Sequence, residues 1–200
     1  MSQPVTLNTQ NIVDFLFEAG QLAKTPRSGF FFLGSGEQSV AEHLHRTACI
    51  AYCLAQMAGD VDIGKVLQMA IFHDFSEARI SDLNYVHQKY TVRKEDEAHA
   101  DIAASLPFGT AFKTTIDEYE ERQSKESLIV KDADNLEFIL ALKEQLDIGN
   151  ERAGTWLPSV VQRLKTEEGK ALGAEILKTD SDHWWFGDKE DTWWINRNKT

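Results

Sequence analysis

Apolar residues recur at spacings of three and four through most of the chain, the pattern of helices that bury one face. Asn11 to Ala23 predicts a first amphipathic helix, and a loop over Lys24 to Gln38 follows, punctuated by Pro26, Gly29, Gly34 and Gly36. Ser39-Val40-Ala41-Glu42 is a capping box, serine at the cap and glutamate three later. It opens a helix that runs to about Met57. Gly59-Asp60 make a turn, and Val61 to about Phe75 is the next helix. The pattern breaks after Ala78, so Ile80 to Tyr90 is expected to be irregular. Arg93 to Ser105 reads as an acidic surface helix stopped by Pro107, and a shorter helix is expected near Ala111 to Arg122. Ser124 to about Leu146 is long and well patterned, with Ile129, Val130, Ala133, Leu136, Ile139, Leu140 and Leu142. Two short helices are expected near Leu157–Lys165 and Glu168–Leu177, before a tail from Thr179 that holds four of the five tryptophans. No alternating strand pattern is visible. The predicted class is therefore all-α, a helical bundle in one domain over residues 1–200, with its core over about 10–150 and a Trp-rich extension over about 151–200.

Composition narrows the partners. The 200 residues carry 32 acidic against 21 basic side chains, a formal charge of −11. That surplus opposes a surface built to track nucleic-acid phosphates or an anionic membrane. A phosphate substrate would have to be small and held by local positive charge. No apolar run approaches the roughly 20 residues needed to span a bilayer; Phe30-Phe31-Phe32-Leu33 is the densest cluster. Two cysteines, Cys49 and Cys53, lack the spacing of a zinc or redox motif and are expected to be small buried apolar groups. With no signal peptide visible, a reducing cytoplasmic setting is expected.

One segment stands apart. Met69-Ala70-Ile71-Phe72-His73-Asp74-Phe75-Ser76-Glu77 ends an apolar helix on an adjacent His-Asp pair. The plainer reading of such a pair is a core histidine beside a capping aspartate. Its neighbours point elsewhere. His43 sits one turn inside the preceding helix, Glu77 lies four after His73, and Asp82 lies eight after Asp74. Asp134, in Lys131-Asp132-Ala133-Asp134, interrupts the apolar pattern of the long helix, and a carboxylate near a core face needs a cation. Two imidazoles and two carboxylates on three helices of a bundle suit one divalent metal: Mn²⁺, Co²⁺, Fe²⁺, Mg²⁺ or Zn²⁺.

This constellation resembles the HD-domain superfamily of metal-dependent phosphohydrolases, and within it the 5′-deoxynucleotidase branch. Ser39-Val40-Ala41-Glu42-His43 matches that branch's Ser-Val-x-Glu/Asp-His segment, and the run from His73 to Asp82 matches His-Asp-x-x-Glu-x-x-x-x-Asp. An arginine upstream of the first histidine, here Arg27, also matches, as do Glu118-Tyr119-Glu120 and Lys131–Asp134. The resemblance covers roughly residues 10 to 150. It implies that His43, His73, Asp74 and Asp134 bind one divalent metal and that Glu77 activates or orients the attacking water. It implies further that Arg27 clamps the phosphate and that Asp82 meets the sugar 3′-hydroxyl side and discourages a 2′-hydroxyl. The implied reaction is hydrolysis of deoxyribonucleoside 5′-monophosphates to deoxynucleoside and phosphate. Ser28 follows Arg27 where the branch carries an aromatic, the nearest here being Phe30. Leu83-Asn84-Tyr85 stand where the branch has a proline-containing loop. Related bundles often dimerise, so a homodimer is admitted.

The remaining candidates have competing readings. Lys131, three before Asp134, either reaches the mouth of the site to bind substrate or pairs with Asp134 at the surface; Arg46 and Arg79 are similar cases. His45 points away from His43. His87, in the irregular segment, could approach the site, whereas His99 falls on a solvated acidic face and His183 in the tail. Trp184-Trp185 and Trp193-Trp194 suggest stacking on nucleic acid, but the surrounding Asp180, Asp182, Asp188, Glu190 and Asp191 favour docking on the chain's own domain or a second subunit. Two other functions compete: a two-iron HD oxygenase, which needs further histidine ligands, and a non-catalytic nucleotide-binding module, which would not need Glu77.

Overall fold

The computed structural model describes residues 8–193. Among them there is no strand, only an isolated antiparallel bridge between Pro26 and Ser39. Helix α1 (Thr9–Gln21) is capped by the Asn8 side chain and leads through a 3₁₀ turn into the loop. The loop contains the short α2 (Phe30–Leu33) and is closed by the bridge: Arg27 N–H donates to the Gln38 carbonyl at 2.8 Å and Val40 N–H to the Thr25 carbonyl at 2.9 Å. The expected capping box opens α3 (Val40–Ala58), with Ser39 and Glu42 exchanging hydrogen bonds. Asp62 caps α4 (Ile63–Phe72).

Between Phe72 and Arg79 the chain tightens into successive i to i+3 hydrogen bonds, from Phe75 to Phe72, Glu77 to Asp74, Ala78 to Phe75 and Arg79 to Ser76. The α-helix of His73 therefore does not reach Glu77, which instead begins α5 (Glu77–Ile80). Ser81 then adopts a left-handed φ of 66°. The stretch expected to be irregular contains α6 (Tyr85–Tyr90), started by Asn84, whose side chain accepts from the N–H groups of Val86 and His87. A local polar cap, not an apolar stripe, makes this helix, so periodicity could not show it.

Helices α7 (Glu95–Ser105) and α8 (Gly109–Glu121) pack together. The long α9 (Lys125–Asp147) runs through the centre, against α3, α4, α8, α10 (Glu151–Val161) and α11 (Glu167–Ile176). Ile129, Val130, Ala133, Leu136, Ile139 and Leu142 of α9 form the core with Leu54, Val66 and Met69. The segment after residue 150 contributes Ala153, Leu157, Val160, Leu164 and Ile176 to that same core. Buried Asp132 fastens α11 to it, accepting from the N–H groups of Lys165 and Thr166 at 2.9 and 2.7 Å. Gly169 packs so closely there that a Cβ would lie 2.4 Å from the Asp132 carboxylate. A second cluster joins Phe15, Leu44, Phe75, Ile102 and Phe112, with the Phe15 and Phe75 rings stacked at 4.6 Å.

Two burial expectations are corrected. Cys49 and Cys53 are exposed, on the solvent side of α3 opposite the core face of Ile50 and Leu54. His99 is only 2% exposed, packed near the Phe112 ring on the inner face of α7, because Ala98 and Ile102 turn that part of an acidic helix inward. Helix α12 (His183–Phe186) lies in the tail, where Trp184 is 85% exposed. The tail begins anchored to α9, Ser181 N–H donating to Asp147 Oδ2 at 2.8 Å. Trp194 lies outside the described residues. No helix among the described residues is long and apolar enough to cross a membrane.

Candidate active site

His43 of α3 and His73 at the end of α4 meet above α9, their ring centroids 5.5 Å apart. Both side chains are buried. His43 Nδ1 lies 2.7 Å from Glu137 Oε2, and His73 Nδ1 lies 3.1 Å from the Ala70 carbonyl oxygen. A carboxylate and a carbonyl both accept, so each Nδ1 carries the proton and each Nε2 presents a lone pair. Both Nε2 atoms are buried and without a hydrogen-bond partner.

Those two nitrogens converge on carboxylates. Asp74 Oδ2 lies 3.5 Å from His43 Nε2 and 3.4 Å from His73 Nε2, while Asp134 Oδ1 lies 3.3 Å from His43 Nε2. His43, His73 and Asp134 each offer one atom within 4.8 Å of the others. Buried ring nitrogens with unshared lone pairs are costly unless something takes them. A divalent cation meets that need, and a mixed nitrogen and oxygen donor set suits one. Burial and Arg27 oppose a charged His43, but Asp134 and Glu137 outweigh them and raise its pKa; at His73 burial dominates and lowers it. Burial disfavours the Asp134 carboxylate, yet Lys131 and the two imidazoles hold its pKa well below the usual range. A bound cation would compete with a second proton for the Nε2 lone pair of His43.

Glu137 was not anticipated from the sequence. It is fully buried, one turn beyond Asp134, and accepts from Gln38 Nε2 at 2.6 Å and from Arg46 Nε at 2.9 Å as well as from His43. Arg46 reaches on to Glu144 at 2.6 Å. The available signal was a second acid at i+3 from Asp134, between the apolar Leu136 and Phe138, with an arginine at i+3 from His43. Tyr119, of the Glu-Tyr-Glu stretch, is buried with its ring 5.3 Å from that of His73 and so supports it.

A cavity of about 240 Å³ opens beside these groups. Arg27, Asp74, Glu77, Asp82, Lys131 and Asp134 all line it, as does Arg93, which was not anticipated. Arg27 Nη1 lies 3.3 Å from Asp74 Oδ2, and its Nε 3.9 Å from Asp82 Oδ2. Asp82 Oδ2 also accepts from the Ser28 N–H at 2.7 Å, which joins the loop to the segment after α5. Glu77 is 4% exposed; one oxygen faces Arg93 at 3.9 Å and the other has no hydrogen-bond partner. Burial, then Asp74 and Asp82, push its pKa up to about 10. Lys131 lines the cavity while its Nζ lies 2.7 Å from Asp134 Oδ2. His45, His87 and His183 are exposed, and Arg79 pairs with Glu18 on the surface at 3.0 Å.

Comparison with known proteins places the chain among relatives of known family. Residues 19–175 match the family model described as HD domain. The chain is 29% identical over 147 residues to the 5′-deoxynucleotidase HDDC2 of Bos taurus, covering 70% of this chain and 71% of the bovine one. It is 31% identical over 148 residues to the 5′-deoxynucleotidase HDDC2 of Dictyostelium discoideum, covering 67% and 77%. A conserved hypothetical protein from Pyrococcus furiosus superposes with a TM-score of 0.70 at 29% identity, covering 84% of this chain and 99% of that one.

Proposed function

The chain belongs to the HD-domain family, and from that premise we propose that it is a divalent-metal-dependent phosphomonoesterase acting on deoxyribonucleoside 5′-monophosphates. The observation that carries the metal is the pair of buried, unpartnered Nε2 atoms of His43 and His73 facing Asp74 and Asp134. The substrate class rests on the relatives named 5′-deoxynucleotidase together with the small cavity, where Arg27, Arg93 and Lys131 stand beside the carboxylates.

His43, His73, Asp74 and Asp134 would hold the cation. When bound, it supplies neutralisation of phosphate charge and a water of lowered pKa. Arg27 presents a planar fork to phosphate oxygens, and Asp74 and Asp82, outweighing the cost of burial, keep it charged and aimed into the cavity. Glu77 takes or steers the proton of the attacking water: its carboxyl group lines the same cavity and keeps one oxygen unpartnered there. Lys131 adds positive charge at the mouth. Asp82, which lines the cavity beside Arg27, would meet the sugar 3′-hydroxyl side and discourage a 2′-hydroxyl.

Phosphate release from ribo- and deoxyribonucleoside 5′-monophosphates and common sugar phosphates, with Mn²⁺, Co²⁺ and Mg²⁺ each supplied, tests this reading. Release from the deoxyribonucleotides is expected; release from none of the compounds overturns it.

A further inference from the structure

The cavity continues past its charged end. Along one face of α9 its lining changes from Lys131 and Asp134 to Phe138, one turn beyond Asp134 and about 6 Å further along the axis. There it meets a more open recess of about 450 Å³, and Phe32, Tyr85, Phe138, Trp156 and Arg163 border both spaces. The Phe138 and Trp156 rings, from α9 and α10, are half-buried, 6.4 Å apart and inclined by 48°. Tyr85, at the start of α6, is 68% exposed, and its hydroxyl accepts from Arg163 Nη2 at 2.8 Å. The phosphate chemistry uses none of these five side chains.

We infer that this aromatic recess holds the nucleobase of the substrate, with Trp156 and Tyr85 as the base-binding residues; the inference rests on the phosphomonoesterase reading above. A nucleoside 5′-phosphate presents charge at one end and a flat π-face at the other, separated by the sugar. The cavity presents charged groups, Arg27 and Lys131 among them, and then aromatic ones in that order along α9. Stacking on aromatic rings accepts every base, because every base has a π-face. The recess therefore selects nucleotides over simple sugar phosphates without choosing among bases.

Kinetics with dAMP and with 2-deoxyribose 5-phosphate, which keeps sugar and phosphate but lacks the base, test the inference. Trp156→Ala and Tyr85→Ala are expected to raise KM for dAMP about tenfold with little change in kcat, and to leave 2-deoxyribose 5-phosphate nearly unaffected. Trp156→Phe is expected to restore most of the loss. Equal loss on both compounds, or loss on neither, overturns the inference. Tyr85 is exposed, so its variant remains informative if Trp156→Ala does not fold. Calorimetry with 2′-deoxyadenosine, which carries no phosphate, separates the two readings. Binding that disappears in both variants supports the recess even if the wild-type chain releases no phosphate. No binding alongside normal phosphate release overturns the recess and leaves the phosphomonoesterase standing.

Discussion

Glu137 Oε2 lies 2.7 Å from His43 Nδ1, and neither side chain is exposed to solvent. The contact fixes the tautomer of a proposed metal ligand from behind, and Arg46 and Gln38 hold the carboxylate in turn. Glu137→Gln keeps the shape but not the charge. It is expected to weaken binding of Mn²⁺ about 10- to 100-fold, read by calorimetric titration; unchanged affinity would show that Glu137 serves the fold alone.

The same residue sets an acid limit. Burial opposes its charge, but His43 and Arg46 hold its pKa down to about 2, against 4.5 for a free glutamate. A carboxylate depressed on folding stabilises the native state above its unfolded value and ceases to do so as pH falls through the folded one. Wild-type stability is therefore expected to drop between about pH 4.5 and pH 2, and Glu137→Gln to show a shallower drop in denaturant titrations across that window.

Glu77 has the opposite sign. Its pKa rises on folding to about 10, so its contribution is complete below 4.5 and lost as pH climbs toward 10. In the metal-free chain Glu77→Gln is expected to match wild type near pH 4 and to be more stable at pH 8 by upwards of about 1 kcal/mol. The same variant is expected to retain metal and lose phosphate release by about 100-fold or more. Undiminished turnover would remove Glu77 from proton transfer.

Arg27 faces Asp74 and Asp82 with different nitrogens. Lysine would keep the charge and lose the fork. Arg27→Lys is expected to lower kcat/KM about 10- to 100-fold, chiefly through KM, with metal affinity little changed. A drop in kcat alone would point to a role after binding.

Ser81 holds φ 66° and ψ 161°, a region that only glycine occupies without strain. Relieving it should stabilise the fold: Ser81→Gly is expected to raise Tm by about 2–4 °C. A lower Tm would mean that the serine makes a compensating contact.

The motif His73-Asp74 to Asp82 and the capping box at Ser39 were legible because each is a local, closely spaced pattern. So were the large helices, whose apolar periodicity survives in any packing. Helix α6 was not, since one asparagine cap starts it. His99 was misjudged because the acidic residues around it fall on the outer face of α7, and only the neighbours in α8 reveal the inner one.

By itself, then, the sequence determined the all-α class, the order of the helices and which imidazoles and carboxylates could share a metal, since those follow from residue type and spacing along one chain. The tertiary structure decided which atoms face one another. It directed both Nε2 atoms inward by occupying both Nδ1 atoms, one of them with a glutamate 94 positions away. It also brought Trp156 beside Phe138 at the edge of the same cavity. Such long-range pairings arise from helices packing across the core, and no local pattern encodes them.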